Sequence, residues 1–551
     1  MTADAPLSGR LRGALWCLII AACALWAYEI PNRGIDPDEL EHLHAAFCVS
    51  RGDVPYRDFF EHHGPALYYL LWPCFALVGP HLTALWAGRA LMSGCSLATL
   101  WLTGRLANRW AGPHAGLLAA ALLLWTTIFH GKGIELRPDV PAMLLLLVTV
   151  SQFNFATGGG SWRRFLCVGL MLGLAMLFTQ KSIVPAAGIA AAACLARLVT
   201  RSPETESALT VLARVIVPVA AGIALVWGIT SALFATAGAV NDFWYSTWYQ
   251  LWVWPVHSNR WEHLRPTLAG DLTVWVAAVV EIAVVLRQWR KNETWQQQRG
   301  VAALVALVCI LSLGFVKATY PQFYLLWMPL LAALAANRII GLIDCKPSSR
   351  GIVAAIAFAL ILCLGEVIVC ERAILQRENG ALSHLTSTVP VVFVVLVGCG
   401  LMFVPVALVT VRQKWPRFIR VCAALGMSYG VLRNIDTALW SNRDQVVMIE
   451  TVNRQVAPEG RVLDGFTGYG ALRPHAWYYW WVNEYSLALV PEEERRTGLL
   501  ARLQQHPPAA VLFDQNLEQL PDNVLGWIRA NYQPADHNIL WLPRPADDVG
   551  K

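Results

Sequence analysis

Charged residues are scarce in this chain of 551 residues. Asp, Glu, Lys and Arg make up 15% of it, whereas hydrophobic residues make up 56%. Soluble domains usually carry about 25% charged residues, so the composition argues against a soluble globular protein. The net charge of +6 does not indicate nucleic-acid binding, because the basic residues fall in short loops between apolar runs. We therefore expect membrane lipids as partners and no nucleic acid.

The chain also lacks the cysteine spacing of a disulfide framework or a zinc site. It contains 13 cysteines, but no CxxC pair and no zinc-type spacing. Most of them lie inside apolar runs, where cysteine behaves as a small hydrophobic residue. The sequence predicts neither a disulfide scaffold nor a structural metal site. It also contains no internal repeat of the kind that marks many transporters.

Apolar runs are what the chain has in abundance. They recur along its first four-fifths and are long enough to cross a bilayer as helices. We predict an all-α polytopic membrane protein with about thirteen spans. The short aromatic run Ala66–Val78 is predicted to lie at the membrane interface instead. The predicted spans lie near residues 13–30, 83–104, 114–130, 140–156, 165–180, 183–197, 215–236, 270–286, 301–316, 322–340, 351–370, 388–411 and 419–438.

Basic residues concentrate in every second predicted loop, which the positive-inside rule assigns to the cytoplasm. The remaining loops and the polar C-terminal region, residues 441–551, then lie on the external face. Short apolar runs alternate with helical patterns in that region, which predicts a small α/β domain. The expected organisation is a membrane module, residues 1–440, and an extracytoplasmic domain, residues 441–551. The minimal architecture suggests a bacterial inner membrane.

An acidic stretch follows the first predicted span, on the external face. With Glu29 just upstream, residues 34–71 hold eight acidic side chains and four histidines. Charge beside a bilayer is costly, so such a cluster usually marks a functional site. Further polar side chains are predicted on the same face: Glu135, Arg137, Asp139, Lys181, Tyr320 and Tyr324.

Several segments of this face resemble a known family in order and position. They are the Asp38-Glu39 pair, Gly64–Tyr69 (GPALYY), Arg137–Pro141 (RPDVP), Thr179–Lys181 (TQK) and Tyr320–Pro329 (YPQFYLLWMP). They resemble the GT-C superfamily of polyprenyl-phosphate-sugar-dependent glycosyltransferases, and most closely the protein O-mannosyltransferase (family 39) and lipid A aminoarabinose transferase group. GPALYY is similar to the family's PPLYY segment. The resemblance covers roughly the first 340 residues.

The chain departs from the family pattern at two places. Many members have a lysine before the proline pair, where this chain has His62-His63-Gly64-Pro65. Either a histidine supplies that cation or the role is lost. The sugar-binding repeats of the mannosyltransferases are also missing, which weakens the case for a protein acceptor.

The resemblance implies an enzyme that transfers a sugar from a polyprenyl-phosphate donor to a hydroxyl of a lipid, glycan or protein, with inversion. It places the catalytic base at Asp38, whereas reasoning from the residues alone leaves Asp36 and Glu39 as credible substitutes. Asp139 would position Asp38 or the acceptor, and Lys181 would bind the donor phosphate. The other expected substrate-binding residues are Asp36, His62, His63, Tyr68, Arg137, Tyr320 and Tyr324.

Each of these residues also has a plainer interpretation. Asp38 could simply cap the following helix, Asp139 could be a solvated acid paired with Arg137, and Lys181 could extend from a helix end. No cofactor is predicted with certainty. A divalent cation could be held by histidines beside acids: His42, His44, His62 and His63.

Two other function classes stay open at this point. The first is a transporter or flippase of lipid-linked sugars, and the second is a membrane protein of this fold that has lost catalysis. A transporter should place its polar residues near the membrane midplane on broken helices. The acids of this chain are instead predicted on one external face, which favours the enzyme.

Overall fold

The computed structural model describes residues 9–152, 162–200, 207–253, 264, 267–268, 270–288, 294–316, 320–344, 419–420, 423–424, 427, 430–535 and 538–545. Most of them are helical. The helices, numbered α1 onward in chain order, are Gly9–Asn32, Pro37–Ser50, Ala66–Val78, Thr83–Ala111, Pro113–Trp125, Thr127–Lys132, Asp139–Gln152, Trp162–Phe178, Ile183–Thr200, Ala208–Thr236, Val240–Trp244, Gln250–Val253, Leu272–Gln288, Thr294–Ser312, Pro321–Leu325, Met328–Asp344, Arg443–Gln455, Glu484–Leu489, Leu499–Gln505 and Asp522–Asn531. Residues 430–439 are also helical.

Helices occupy the predicted spans wherever the structure describes them in full. Two of these helices, Leu11–Asn32 and Leu212–Thr236, are long and apolar enough to cross a membrane. Six shorter apolar helical stretches in the described chain have 10–17 residues each. The number of about thirteen spans therefore stays a prediction. The predicted spans 351–370 and 388–411 lie outside the described residues.

One predicted span, 114–130, is not a single helix. Helix α5 ends at Trp125, and Thr126 has an extended backbone, with φ −64° and ψ 139°. The Thr126 side chain accepts a hydrogen bond from the Phe129 N–H and so caps the short helix α6. The break turns the chain into the loop that carries the polar residues 132–139. Residues 322–340 are divided in a similar way, between Pro321–Leu325 and Met328–Asp344.

A four-stranded sheet lies in the C-terminal region, as the short apolar runs predicted. Its strands are β1 Val462–Asp464, β2 Ala510–Leu512, β3 Tyr532–Pro534 and β4 Leu540–Pro543, in the order β1-β2-β4-β3. Strands β1 and β2 are parallel, with Leu463 opposite Val511, and the other two pairs are antiparallel. The predicted helix 522–532 ends one residue early, because Tyr532 begins β3.

The C-terminal region packs directly against the acidic stretch. The Gly34 N–H donates to the Trp440 carbonyl at 2.6 Å, and the Phe60 N–H donates to the Tyr478 carbonyl at 2.9 Å. A Cβ on Gly468, where φ is +70°, would lie 2.6 Å from the Leu40 side chain. Contact this close requires glycine. Through these contacts the C-terminal region fixes the segment between α1 and α3.

Candidate active site

The acidic stretch forms helix α2, Pro37–Ser50, whose first turn is fixed by a capping box. The Asp36 side chain accepts from the Asp38 N–H at 3.1 Å, and the Glu39 side chain accepts from the Asp36 N–H at 3.1 Å. The two side chains thus satisfy N–H groups that a helix start leaves open. The interpretation of Asp38 as the helix cap is wrong, because Asp36 occupies that position. The Asp38 carboxylate is left for other contacts.

Two cations, one at the end of α6 and one in the loop before α7, bind the first carboxylates. Arg137 donates through Nη1 to Asp38 Oδ2 at 2.8 Å and through Nη2 to Asp36 Oδ1 at 2.9 Å. Lys132 Nζ lies 2.8 Å from Asp36 Oδ2. Glu135 accepts hydrogen bonds from both Arg137 and Lys132. Burial alone would raise the pKa of Asp36, but Arg137 and Lys132 lower it below its usual range.

Asp38 is bound at one oxygen and open at the other. Its side chain is 34% exposed, and within the described part of the chain only Arg137 bonds it, through Oδ2. The other carboxylates here are more buried: exposure is 22% for Asp36, 6% for Glu135 and 1% for Asp139. Asp38 is therefore the carboxylate that a molecule from outside reaches most easily.

Glu39, by contrast, is completely buried. Arg89 donates to it through Nε at 2.8 Å and through Nη2 at 2.6 Å, and the Leu136 N–H donates at 2.9 Å. Burial alone would raise the pKa of Glu39, but Arg89 lowers it. This arrangement joins α2 to α4 and to the loop before α7. It favours a positioning role for Glu39.

Asp139 and Lys181 form a second ion pair. Asp139 begins helix α7 and is 1% exposed, and Lys181 Nζ lies 3.4 Å from its Oδ1. The interpretation of Asp139 as a solvated acid paired with Arg137 is therefore wrong. The Lys181 side chain is 28% exposed. Its neighbour Gln180 donates to the His62 carbonyl at 3.0 Å, which joins this pair to the histidine segment.

A group of two carboxylates and two imidazoles lies next to these residues. The ligand atoms of Glu41, Glu61, His62 and His63 all fall within 4.8 Å of one another. Glu61 Oε1 accepts from the His62 N–H at 2.8 Å and lies 2.9 Å from His63 Nδ1. These residues could hold a divalent cation, since carboxylates and imidazoles are both common ligands.

The two carboxylates of this group differ in their pKa values. Burial and the neighbouring Glu61 raise the pKa of Glu41 well above its usual range. Burial alone would also raise the pKa of Glu61, but His63 lowers it. Of the four histidines expected at a cation site, the structure brings only His62 and His63 together with acids. The His42 ring packs edge-on against the His63 ring at 4.8 Å, and His44 lies elsewhere.

The three tyrosines expected to bind substrate lie in two places. Tyr68 is buried, with its ring 6.1 Å from that of His42. Tyr320 precedes the short helix Pro321–Leu325, which holds the buried Tyr324 and packs against α6 and α7. Tyr68 thus borders the histidine group, whereas Tyr324 belongs to the packing that supports the loop 132–139.

Sequence reasoning did not select two cations that the structure places in the site. Lys132 is the last residue of α6 and binds Asp36. It lies five residues before Arg137, so the concentration of charge in residues 132–139 was a usable signal. Arg89 lies inside the predicted span 83–104, and an arginine in an apolar span is itself a mark of function. What the sequence did not show was its partner, Glu39.

Comparison with known proteins supports the resemblance. The model of the dolichyl-phosphate-mannose-protein mannosyltransferase family matches residues 62–227. Among solved structures, ArnT from Cupriavidus metallidurans bound to undecaprenyl phosphate matches with a TM-score of 0.63 at 14% identity, over 98% of this chain and 99% of that chain. The same protein in its apo state matches with a TM-score of 0.60 at 14% identity, over 97% and 98%. No curated protein matches the chain.

These findings show a shared fold along almost the whole chain. The family match begins at His62 and ends at Trp227, so it includes the Gly64–Tyr69, Arg137–Pro141 and Thr179–Lys181 segments. The resemblance to GT-C glycosyltransferases that the motifs predicted is confirmed.

Proposed function

We propose that the chain is an integral membrane glycosyltransferase. It moves a sugar from a polyprenyl-phosphate donor to a hydroxyl group of a lipid, glycan or protein acceptor, with inversion. The observation that carries this proposal is the state of the Asp38 carboxylate. One of its oxygens forms an ion pair with Arg137, and the other is accessible. The family model is named for a dolichyl-phosphate donor and the ArnT structure contains undecaprenyl phosphate, and both are polyprenyl phosphates.

Asp38 is the proposed general base. It takes the proton of the acceptor hydroxyl while the hydroxyl oxygen forms a bond to the anomeric carbon. The bond from that carbon to the phosphate oxygen breaks on the opposite side, which inverts the centre and releases the polyprenyl phosphate. Arg137 keeps Asp38 in place through its 2.8 Å contact. Asp36 and Glu39, both engaged by cations, position the first turn of α2.

The departing phosphate requires cations, because negative charge accumulates on its oxygens. Lys181 is the proposed phosphate ligand, since its side chain is 28% exposed and its partner Asp139 is 3.4 Å away. His62, 20% exposed, stands in the segment where many family members have a lysine, but burial lowers its pKa well below the usual range, so it offers the phosphate a hydrogen bond and not a charge. Arg137 has less freedom to bind phosphate, because Asp36, Asp38 and Glu135 already occupy it.

The proposed location is a membrane, with the site and residues 441–551 on the extracytoplasmic face and a bacterial inner membrane as the setting. Exposed apolar side chains of helix α3, Tyr69, Trp72 and Leu77, give the polyprenyl tail a surface beside the site. Helix α3 packs against α2 and α8, so a tail lying there would bring its phosphate towards Lys181.

The test is transfer of a labelled sugar from a polyprenyl-phosphate donor pool by purified full-length protein. Asp38→Asn should reduce turnover by about 10²–10⁴-fold, the usual contribution of a general base. The matched control is Asp53→Asn, which changes a half-buried acid of the same segment that lies outside the Arg137 cluster. Equal transfer by wild type and Asp38→Asn would move the base to Asp36, because Glu39 is completely buried. Absence of transfer, with the donor crossing reconstituted vesicles instead, would favour the transporter.

A further inference from the structure

Three metal-ligating side chains converge at a second place, between helix α2 and the C-terminal region. His44 and Cys48 lie one turn apart on α2 and therefore share a face, and His475 approaches from the strand side. The distance from His44 Nε2 to His475 Nδ1 is 3.2 Å. Cys48 Sγ lies 3.4 Å from His44 Nε2 and 3.7 Å from His475 Nδ1. None of the three belongs to the candidate active site.

Backbone carbonyls determine which ring nitrogens face each other. His44 Nδ1 lies 3.0 Å from the Ala471 carbonyl, and His475 Nε2 lies 3.4 Å from the Asp58 carbonyl. A carbonyl accepts hydrogen bonds, so these nitrogens carry the ring hydrogens. In each neutral ring the other nitrogen, His44 Nε2 or His475 Nδ1, then carries a lone pair. Two lone pairs then face one thiol.

One thiol hydrogen cannot satisfy two lone pairs at once. If Cys48 donates to one imidazole, the other nitrogen faces a lone pair at 3.2 Å. A cation bound by all three atoms removes this conflict. Carbonyls that accept the outer N–H of ligating histidines are the usual second shell of protein zinc sites.

The distances agree with one shared metal ion. Zinc binds imidazole nitrogen at about 2.0–2.1 Å and thiolate sulfur at about 2.3 Å, in tetrahedral geometry. Those bond lengths place two nitrogens about 3.3 Å apart and a nitrogen and a sulfur about 3.6 Å apart. The three observed separations, 3.2, 3.4 and 3.7 Å, form such a triangle.

We propose that His44, Cys48 and His475 bind a zinc-type divalent cation that joins helix α2 to the C-terminal region. His44 and Cys48 are each 1% exposed, whereas His475 is partly exposed, so solvent approaches the site from the side of His475. On binding, the Cys48 proton leaves to solvent and the thiolate bonds the metal.

The site is well supported on the strand side. The Val462 N–H donates to the Pro474 carbonyl at 2.8 Å and the Ala476 N–H donates to the Val462 carbonyl at 2.9 Å, so β1 fixes the residues on both sides of His475. The His44 ring packs against the Trp480 ring at 4.0 Å. Metal binding here fastens the helix whose other end carries Asp38.

The experiment uses purified full-length protein in detergent, stripped of metal by a chelator and titrated with Co²⁺ as a probe. We expect one equivalent of cobalt to produce a thiolate-to-cobalt charge-transfer band and the visible bands of tetrahedral cobalt, and Zn²⁺ to displace both. Cys48→Ser should abolish the charge-transfer band. Loss of a residue that only supports a metal ligand weakens metal binding by about 10–100-fold. His475→Gln removes a ligand itself and should weaken binding by at least that much.

Two controls separate this site from others in the chain. Cys74→Ser changes a half-buried cysteine of α3 and should leave the charge-transfer band intact. Glu61→Gln alters the other candidate group, which contains no sulfur, and should also leave it intact. Absence of the band in the wild-type protein overturns the proposal, whether or not the variants fold. Persistence of the band in Cys48→Ser overturns it as well.

Discussion

Arg89 and Glu39 form a two-point ion pair inside the helical core, with Nη2 and Oε2 2.6 Å apart and neither side chain exposed. Arg89 also donates to the carbonyls of Ile30, Arg33 and Gly34. One guanidinium thus holds the end of α1, the turn after it and the first turn of α2. The position of Asp38 depends on this pair, although neither of its members reaches the surface.

Glu39→Gln should destabilise the protein strongly. The substitution keeps the shape of the side chain but leaves the Arg89 charge buried without a counter-ion, which typically costs about 3–5 kcal/mol. Thermal unfolding in detergent measures the loss. Glu39→Gln combined with Arg89→Met should recover part of it, because no lone charge then remains. A Glu39→Gln protein as stable as wild type would contradict the proposed anchoring role.

Asp36→Asn should change how stability depends on pH. Asparagine is as good a helix cap as aspartate, so the substitution removes only the charge that binds Arg137 and Lys132. The pKa of Asp36 is lower in the folded protein than in the unfolded chain, so its contribution is present above the unfolded pKa. It is lost as the pH falls towards the folded value.

Unfolding midpoints measured from neutral to acid pH test this. The variant should be less stable than wild type at neutral pH, and the difference should shrink on acidification. Arg57→Gln, which removes an exposed ion pair with Asp58, is the control and should shift the midpoint little. A constant difference between Asp36→Asn and wild type at all pH values would contradict the charge interpretation.

Lys181→Met should impair use of the donor. If Lys181 binds the departing phosphate, its loss should lower kcat/KM for the donor by about 10²–10³-fold, as for other groups that stabilise a developing anion. Lys181→Arg should retain part of the activity, since the charge is kept. The measurement is transfer rate against donor concentration. Unchanged kinetics in Lys181→Met would leave the lysine as a structural partner of the buried Asp139.

The part of the site that is local in sequence could be predicted. The Asp38-Glu39 pair at a helix start and the charged loop before α7 were visible as patterns, and so were three of the four strands. Pairings between distant segments were not. Glu39 and Arg89 are 50 residues apart, and His44 and His475 are 431 apart. Periodicity predicts which face of a helix is apolar, but it does not say which distant residue meets that face.

The break of the predicted span 114–130 shows a second limit. Hydropathy is continuous through Trp125 and Thr126, and the helix ends there because Thr126 takes an extended conformation and caps α6. The Thr127 N–H also donates to Asp271 at 2.7 Å, and that partner lies 144 residues away. Local composition therefore predicts one helix, whereas tertiary contacts produce two.

Gly64 directly precedes the Pro65–Tyr69 segment that resembles the family pattern, and its surroundings lead to a last prediction. A Cβ at this position would clash with the backbone carbonyl of Leu177, at the end of α8. Backbone cannot move aside as a flexible side chain can, so Gly64→Ala should cost about 1–3 kcal/mol. Gly64→Pro should be at least as harmful, because the proline ring occupies more space than a methyl group.

The same substitution should lower sugar transfer, because Gly64 follows His62 and His63 directly and α8 leads into the Lys181 turn. Pushing these segments apart would separate the histidine group from Lys181. The control is Gly13→Ala in α1, where an added Cβ meets nothing within 4 Å. The measurements are the unfolding midpoints and transfer rates of Gly64→Ala, Gly64→Pro and Gly13→Ala. If Gly64→Pro matched wild type in both, the close approach to Leu177 would not be what requires glycine at this position.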